Sequence, residues 1–321
     1  MALSEFDLID RYFRSSGAAR ADVRLGVGDD AALLECPAGM TLVAAVDTLV
    51  DGVHFPHGCR PESVGHRALA VNLSDLAAMG ARPAWALLAL TLPSAEVPWL
   101  EGFSAAFSAL ALRHGVALVG GDTTQGPLAV SVTLLGWLPA GGALRRSGAA
   151  PGDALFVSGT PGDAAAGLAL EQGRLAAEAA REFLRERFLF PEPRVALGER
   201  LRGYASACID VSDGLLADAL KLARASGCGV ELEAARLPLS APLRALGAAR
   251  ARDFALTGGD DYELCFTVPV ERLAQLQAEL PSELWGYTRI GTVCVETGAH
   301  VRDERGVKTV AAPGYDHFTA P

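Results

Sequence analysis

Aspartates recur along this chain wherever an apolar run gives way to a turn or a helix start. They are Asp29 and Asp30 in VGDDAA, Asp47 in AAVDTLVDGVHF, Asp75 in AVNLSDLAAMG, Asp122 in VGGDTTQG, Asp210 and Asp213 in CIDVSDGL, and Asp260 and Asp261 in TGGDDYEL. Taken singly, each caps a helix or closes a turn, the commonest work of this residue. Taken jointly they point to chemistry. Carboxylates gathered in one cleft repel, and raise one another's pKa, unless hard cations lie between them. A donor set of oxygens without His/Cys spacing suits Mg²⁺, which binds through a few carboxylates together with substrate phosphates. The adjacent pair in LGVGDDAALL makes sense as part of such a metal-and-phosphate site. Asp75, with Asn72 and Ser74, interrupts a stretch of alanines and leucines. A polar patch there is costly unless it faces a cleft.

Other features carry less. Gly26-x-Gly28-x-x-Ala31 matches the loose dinucleotide-binding pattern, but AALLECPAG reads as strand where a crossover helix is needed, and Asp29-Asp30 would meet a pyrophosphate unneutralised. The only lysines are Lys221 and Lys308, neither after a glycine, which excludes a Walker P-loop. His54 and His57 in HFPH are either a metal pair or polar loop residues. Arg145-Arg146 suits a polyphosphate held bidentately, or a solvated linker. SGTPGDAAAG either presents backbone N–H groups to a phosphate or is an ordinary Gly-rich turn.

The elements that must position these residues alternate between strand and helix. A helix over 4–16, with Ser4 as its cap, precedes strands AALLE and MTLVAAVDTLV. A helix from Pro61 to Met79, strand WALLALTL, a helix from Val97 to His114, and strands VALVGGD and LAVSVTLLGWL complete the first half. Proline and glycine cluster at 139–153, so domains 1–138 and 149–321 are expected, joined by 139–148. The second half reads as strand ALFVSGT, a helix in TPGDAAAGLAL, a helical pair over 174–203, strand–turn–helix in ASACIDVSDGLLADALKLARASG, and turn–strand in LTGGDDYELCFTVP. The fold class is α/β.

With 321 residues, half of them hydrophobic, two cores are affordable. A net charge of −10 excludes a nucleic-acid binder that relies on a basic surface. No apolar run reaches the ~18–20 residues of a membrane span. The start of the chain does not read as a signal peptide, and six scattered cysteines without a CxxC pair suggest reduced thiols and a cytoplasmic protein.

Together GVGDDAALL, VDTLVDGVHF, LAVNLSDLAAMGARP, VGGDTTQGPL, RSGAAPGD, SGTPGDAAAGL, IDVSDGL, GGDDYELCF and the terminal GYDHF resemble the thiamine-monophosphate kinase family, in that order and over almost the whole chain. The wider superfamily contains aminoimidazole ribonucleotide synthetase, selenophosphate synthetase and a hydrogenase maturation protein. The resemblance implies two α/β domains of the aminoimidazole ribonucleotide synthetase-like fold, with strands of the first completing a barrel across a homodimer. It implies ATP-dependent phosphorylation of thiamine monophosphate to thiamine diphosphate. By motif, Asp30, Asp47, Asp75, Asp122 and Asp210 would hold Mg²⁺ and Asp213 a further ion. Gly121, Asp122, Arg146 and Ser212 would contact ATP, and His54, Asp260 and Tyr315 the substrate. The chain departs from the family in three places. Ala45-Val46 replace a Ser-Thr pair and leave only backbone carbonyls for coordination. Asp260 stands where Glu is frequent, and Ala312-Pro313 where an aromatic residue precedes GYDHF, leaving Tyr315 or Phe318 to stack on the substrate rings. The rival readings are another ATP-dependent, amidine-forming synthetase of the superfamily and a non-catalytic nucleotide or metal sensor.

Overall fold

The computed structural model describes residues 4–310 together with Gly314 and Phe318. The chain divides into two compact units, one of Met1–Leu76 with Ala81–Gly142 and the other of Ala77–Gly80 with Ala143–Pro321.

In the first unit, helix α1 (Glu5–Tyr12) starts from a capping box: the Asp7 N–H donates to the Ser4 hydroxyl, and Asp7 accepts from the Ser4 N–H. Strands β1 (Val23–Leu25) and β2 (Leu33–Leu34) form a small hairpin. The main sheet contains β3 (Met40–Val50), β4 (Arg82–Leu92), β5 (Ala117–Gln125) and β6 (Ala129–Pro139), in the order β3-β6-β4-β5. Only β4 and β5 run parallel, joined through helix α3 (Val97–Arg113). Helix α2 (Pro61–Ala78) is buried nearly all round, which an almost uniformly small and apolar sequence allows. Gly65 lets it approach α3, since a Cβ there would lie 2.2 Å from the Phe103 carbonyl oxygen. Below the helices Phe13, Trp99 and Phe107 pack around Phe103.

The second unit is built on a seven-stranded sheet: β7 (Ala154–Ser158), β8 (Ala207–Val211), β9 (Gly229–Glu233), β10 (Glu263–Val268), β11 (Tyr287–Cys294), β12 (Gly298–Asp303) and β13 (Gly306–Thr309), ordered β13-β12-β9-β11-β7-β10-β8. Helices α4 (Asp163–Glu171), α5 (Arg181–Leu189), α6 (Val195–Leu201), α7 (Leu215–Ser226), α8 (Ala241–Arg244), α9 (Ala248–Thr257), α10 (Leu273–Glu279) and α11 (Ser282–Trp285) surround it. Strands β7, β8 and β10 are buried along their whole length, because both sheet faces are covered. Leu155, Val157, Ile209 and Val211 share a core with Leu215, Leu216, Ala219 and Leu222 of α7. On the other face Phe156 stacks on Phe266 at 5.3 Å and meets the edge of Tyr287. The six cysteines are all free thiols. Among the described residues no helix is long and apolar enough to cross a membrane.

Candidate active site

The two neighbours of the opening Asp-Asp pair have different jobs. The Asp29 carboxylate accepts from the N–H of Asp30 at 2.8 Å and shapes the turn between β1 and β2. Asp30 is exposed, and its carboxylate makes no hydrogen bond or ion pair among the described residues. Gly28, at φ +119°, takes a backbone conformation that favours glycine, and a Cβ there would strike the Arg14 guanidinium. The six-residue stretch from Gly26 leads into a hairpin and not a helix.

Asp47, near the end of β3, and Asp75, in α2, are hydrogen-bonded carboxyl to carboxyl. Burial lifts the Asp47 carboxyl above its ordinary value, while the bond to Asp75 and the nearby His54 pull it back. His54 sits in the loop after β3, where its Nδ1 accepts from the Val50 N–H at 2.9 Å and its own N–H donates to the Val50 carbonyl. His57 is bonded to Asp51 at 2.7 Å, so the two histidines of HFPH turn to different partners.

Register separates Asp122 from this pair. Cross-strand partners project to the same face of a sheet and successive residues to opposite faces. Asp47 is opposite Val132, Val132 opposite Leu88, and both of those are buried. Asp122 shares the other row, with Ala89, Ser131 and Thr48, where the Thr48 and Ser131 hydroxyls bond at 2.7 Å. Asp122 and Gly121 therefore lie on the opposite edge strand, and Asp122 on the face away from Asp47. Gly121 is required there, because at φ +152° a Cβ would overlap the Leu88 carbonyl oxygen at 1.8 Å.

In the second unit the SDG and GGDDY motifs are stapled together. Asp260 N–H donates to the Ser212 carbonyl at 2.8 Å and Tyr262 N–H to the Val211 carbonyl at 2.9 Å. Asp260 (φ +69°) and Tyr262 (φ +52°) take left-handed conformations that non-glycine residues rarely adopt, and such strain concentrates at functional sites. A Cβ on Gly259 would lie 2.4 Å from the Ser212 carbonyl oxygen. Asp210 is buried at the end of β8, and the exposed Arg146 side chain makes no hydrogen bond or ion pair among the described residues. The Asp213 carboxylate is bonded to the Lys221 ammonium. Gly314, which opens the terminal GYDHF, lies beside Ala217 and Asp213. Tyr315, with Ala312-Pro313, lies outside the described residues, and Phe318 is 97% exposed.

Among the described residues no three His, Cys, Asp or Glu side chains come together as a metal-ligand group within the single chain. At the helix start in SGTPGDAAAG the buried Asp261 carboxylate takes the N–H groups of Gly162 (2.6 Å) and Ala164 (3.2 Å), which favours the reading of this stretch as a structural turn. Burial pushes the Asp261 carboxyl well above its ordinary value, against the pull of those two donors.

Sequence reasoning missed the residues that hold these loops. Asp218, 1% exposed, accepts from the N–H groups of Ser212 (3.0 Å) and Asp213 (2.9 Å). It interrupts the apolar stripe Leu215, Ala219, Leu222, a legible sign that it must be paired. Glu263, fully buried, accepts from Arg187, from the Nε and one terminal nitrogen of Arg194, and from the Ser158 hydroxyl.

Residues 28–138 match the family described as AIR synthase related protein, N-terminal domain, and residues 150–304 its C-terminal domain. The thiamine-monophosphate kinase of Salmonella typhimurium is 48% identical over 326 residues, spanning all of both chains. The crystal structure of thiamine-monophosphate kinase from Stenotrophomonas maltophilia superposes with a TM-score of 0.84 at 50% identity, over 94% of this chain and 97% of that one. A second structure, AaThiL complexed with AMPPCP and TMP, has a TM-score of 0.79 at 36% identity, over 88% of this chain and 89% of that one.

Proposed function

We propose that this chain, which belongs to the thiamine-monophosphate kinases among the AIR synthase related proteins, transfers the γ-phosphoryl group of ATP to thiamine monophosphate, giving thiamine diphosphate and ADP. The observation that carries this reading is the likeness, over nearly the whole chain, to a structure that holds an ATP analogue and TMP together. Both reacting groups are anions, so the barrier is charge repulsion and positioning. The acceptor oxygen is already ionised near neutral pH, and no strong base is needed. A phosphate oxygen of thiamine monophosphate attacks the γ-phosphorus in line as the bond to ADP breaks.

Magnesium fits the donor set. Two carboxyls brought together, as Asp47 and Asp75 are, make an oxygen pair that a divalent cation would bind. Asp30, Asp47, Asp75 and Asp210 would hold Mg²⁺ together with nucleotide oxygens, and Asp122 would do so from the open face of its sheet. The ions would neutralise phosphate charge. Gly121, Asp122, Arg146 and Ser212 are the proposed nucleotide contacts, with Arg146 free to grip a phosphate bidentately. His54 and Asp260 are proposed to face thiamine monophosphate, with Tyr315 at the chain end. With its Nδ1 occupied by the Val50 N–H, a neutral His54 carries its proton on Nε2, which suits a donor to a phosphate oxygen.

The unit is proposed to pair as a cytoplasmic homodimer through the open sheet face. There the edge strand β3 exposes Leu42 (52%) and Val46 (63%), an apolar row that a second copy would cover. The decisive assay follows ADP and thiamine diphosphate formation with chiral γ-phosphoryl ATP. Inversion at phosphorus is expected. Retention rules out the single displacement, and no thiamine diphosphate rules out the kinase.

A further inference from the structure

We infer that Lys221 supplies, as a fixed ammonium, the positive charge that a metal ion would otherwise bring to Asp213. The inference rests on the reading that the acidic groups of this chain hold Mg²⁺ with the nucleotide. Lys221 Nζ donates to Asp213 and, at 2.7 Å, to Asp218 Oδ1. Its anchor is rigid: Asp218 is 1% exposed, and its other oxygen is held by the N–H groups of Ser212 and Asp213. The arrangement joins the turn before α7 to the first turns of that helix.

Charge counting shows what this does to a metal. Asp213 and Asp218 bring two negative charges and Lys221 removes one. An arriving divalent ion would compete for the same Asp213 carboxylate and stand against an ammonium already in ion-pair contact with it. The residue type is informative too. The chain has only two lysines, and the other, Lys308, lies on β13 near Asp303. A lysine ammonium is a compact point charge with three donors, nearer in shape to a small cation than the planar fork of an arginine. Asp47 and Asp75 face each other carboxyl to carboxyl, whereas Asp213 faces a built-in cation.

Mg²⁺ binding is titrated calorimetrically on the full chain with a saturating non-hydrolysable ATP analogue, for the wild type, K221M, D213N and the double variant. K221M is expected to bind one more Mg²⁺ per chain than the wild type, and the double variant to lose it. D213N alone is expected to keep the wild-type number of ions, with affinity changed by no more than about twofold. An unchanged count in K221M, or the loss of an ion in D213N, overturns the inference while leaving the Mg²⁺ site itself in place. A wild type that binds no Mg²⁺ with the analogue overturns both. Circular dichroism reports folding, and if K221M does not fold, the count in D213N decides alone.

Discussion

Replacing Asp75 by Asn separates the demands of folding from those of ion binding at the Asp47–Asp75 pair. The two carboxyls are in hydrogen-bond contact, and burial raises the Asp47 carboxyl above its ordinary value. Two full charges about 4 Å apart repel by about 4 kcal/mol at an effective dielectric of 20. An asparagine keeps the shape, donates its amide to Asp47 and removes one ionisable group. The metal-free protein should gain on the order of 1 kcal/mol at neutral pH, a rise in Tm of about 2–4 °C. Ligand linkage moves the other way. Saturation with Mg²⁺ and an ATP analogue at about 100 times Kd stabilises the wild type by about 2.7 kcal/mol, and the variant should lose most of that increment. Turnover should fall by about 10²-fold or more. Thermal unfolding with and without both ligands, alongside a coupled ADP assay, gives all three numbers. A variant that melts lower without metal, or that keeps near-normal turnover, refutes the reasoning.

Glu263→Gln should cost about 3–5 kcal/mol, because it strips the charge that Arg187 and Arg194 need in a fully buried site. Although burial opposes ionisation, those arginines and Ser158 hold Glu263 below its ordinary value, so its contribution is present above the usual glutamate range and fades as pH falls through the folded value. Urea midpoints measured at falling pH should therefore decline in the wild type and stay flatter in the variant; parallel declines would dismiss the idea. Asp261→Ala should cost about 1–2 kcal/mol by uncapping α4, read as a lower urea midpoint, and an unchanged midpoint would remove the cap from the account. If the chain pairs through the β3 edge as proposed, Val46→Lys should lower the sedimenting mass to that of a monomer, and an unaltered mass would remove that contact from the account.

Much of this was legible because local chemistry governed it. MTLVAAVDTLV is β3 from end to end, and the Ser4 capping box starts α1 where a Ser followed by Asp three residues later allows it. The long helix α2 stops at Ala78, one residue before the expected end. What stayed hidden is set by register and by distance along the chain. Whether Asp47 and Asp122 share a face depends on how β3, β6, β4 and β5 align, and no local pattern states that. Asp260 and Asp261 are neighbours with opposite fates, one at the turn and one buried beneath α4, because the partner of Asp261 lies 97 to 99 residues earlier. Asp218 and Lys221 were readable in principle, as charges on the inward side of α7, but their common partner Asp213 lies in the preceding turn.

The reach of the Asp261 cap also bears on the order in which the polypeptide acquires structure. Ser158 waits for Glu263, 105 residues further on, and the first turn of α4 waits for Asp261. Closing a loop of that length costs entropy before any contact repays it, and contacts of high sequence separation slow folding. During synthesis α4 emerges long before its cap, so its first N–H groups depend on water until β10 is made. The strained turn at Asp260 and Tyr262 can form only when β8 and β10 have paired, since its hydrogen bonds run to Val211 and Ser212. The second unit should therefore gain its candidate substrate turn late, and a nascent chain halted before residue 261 would carry every residue of the first unit while lacking the anchor that shapes the other.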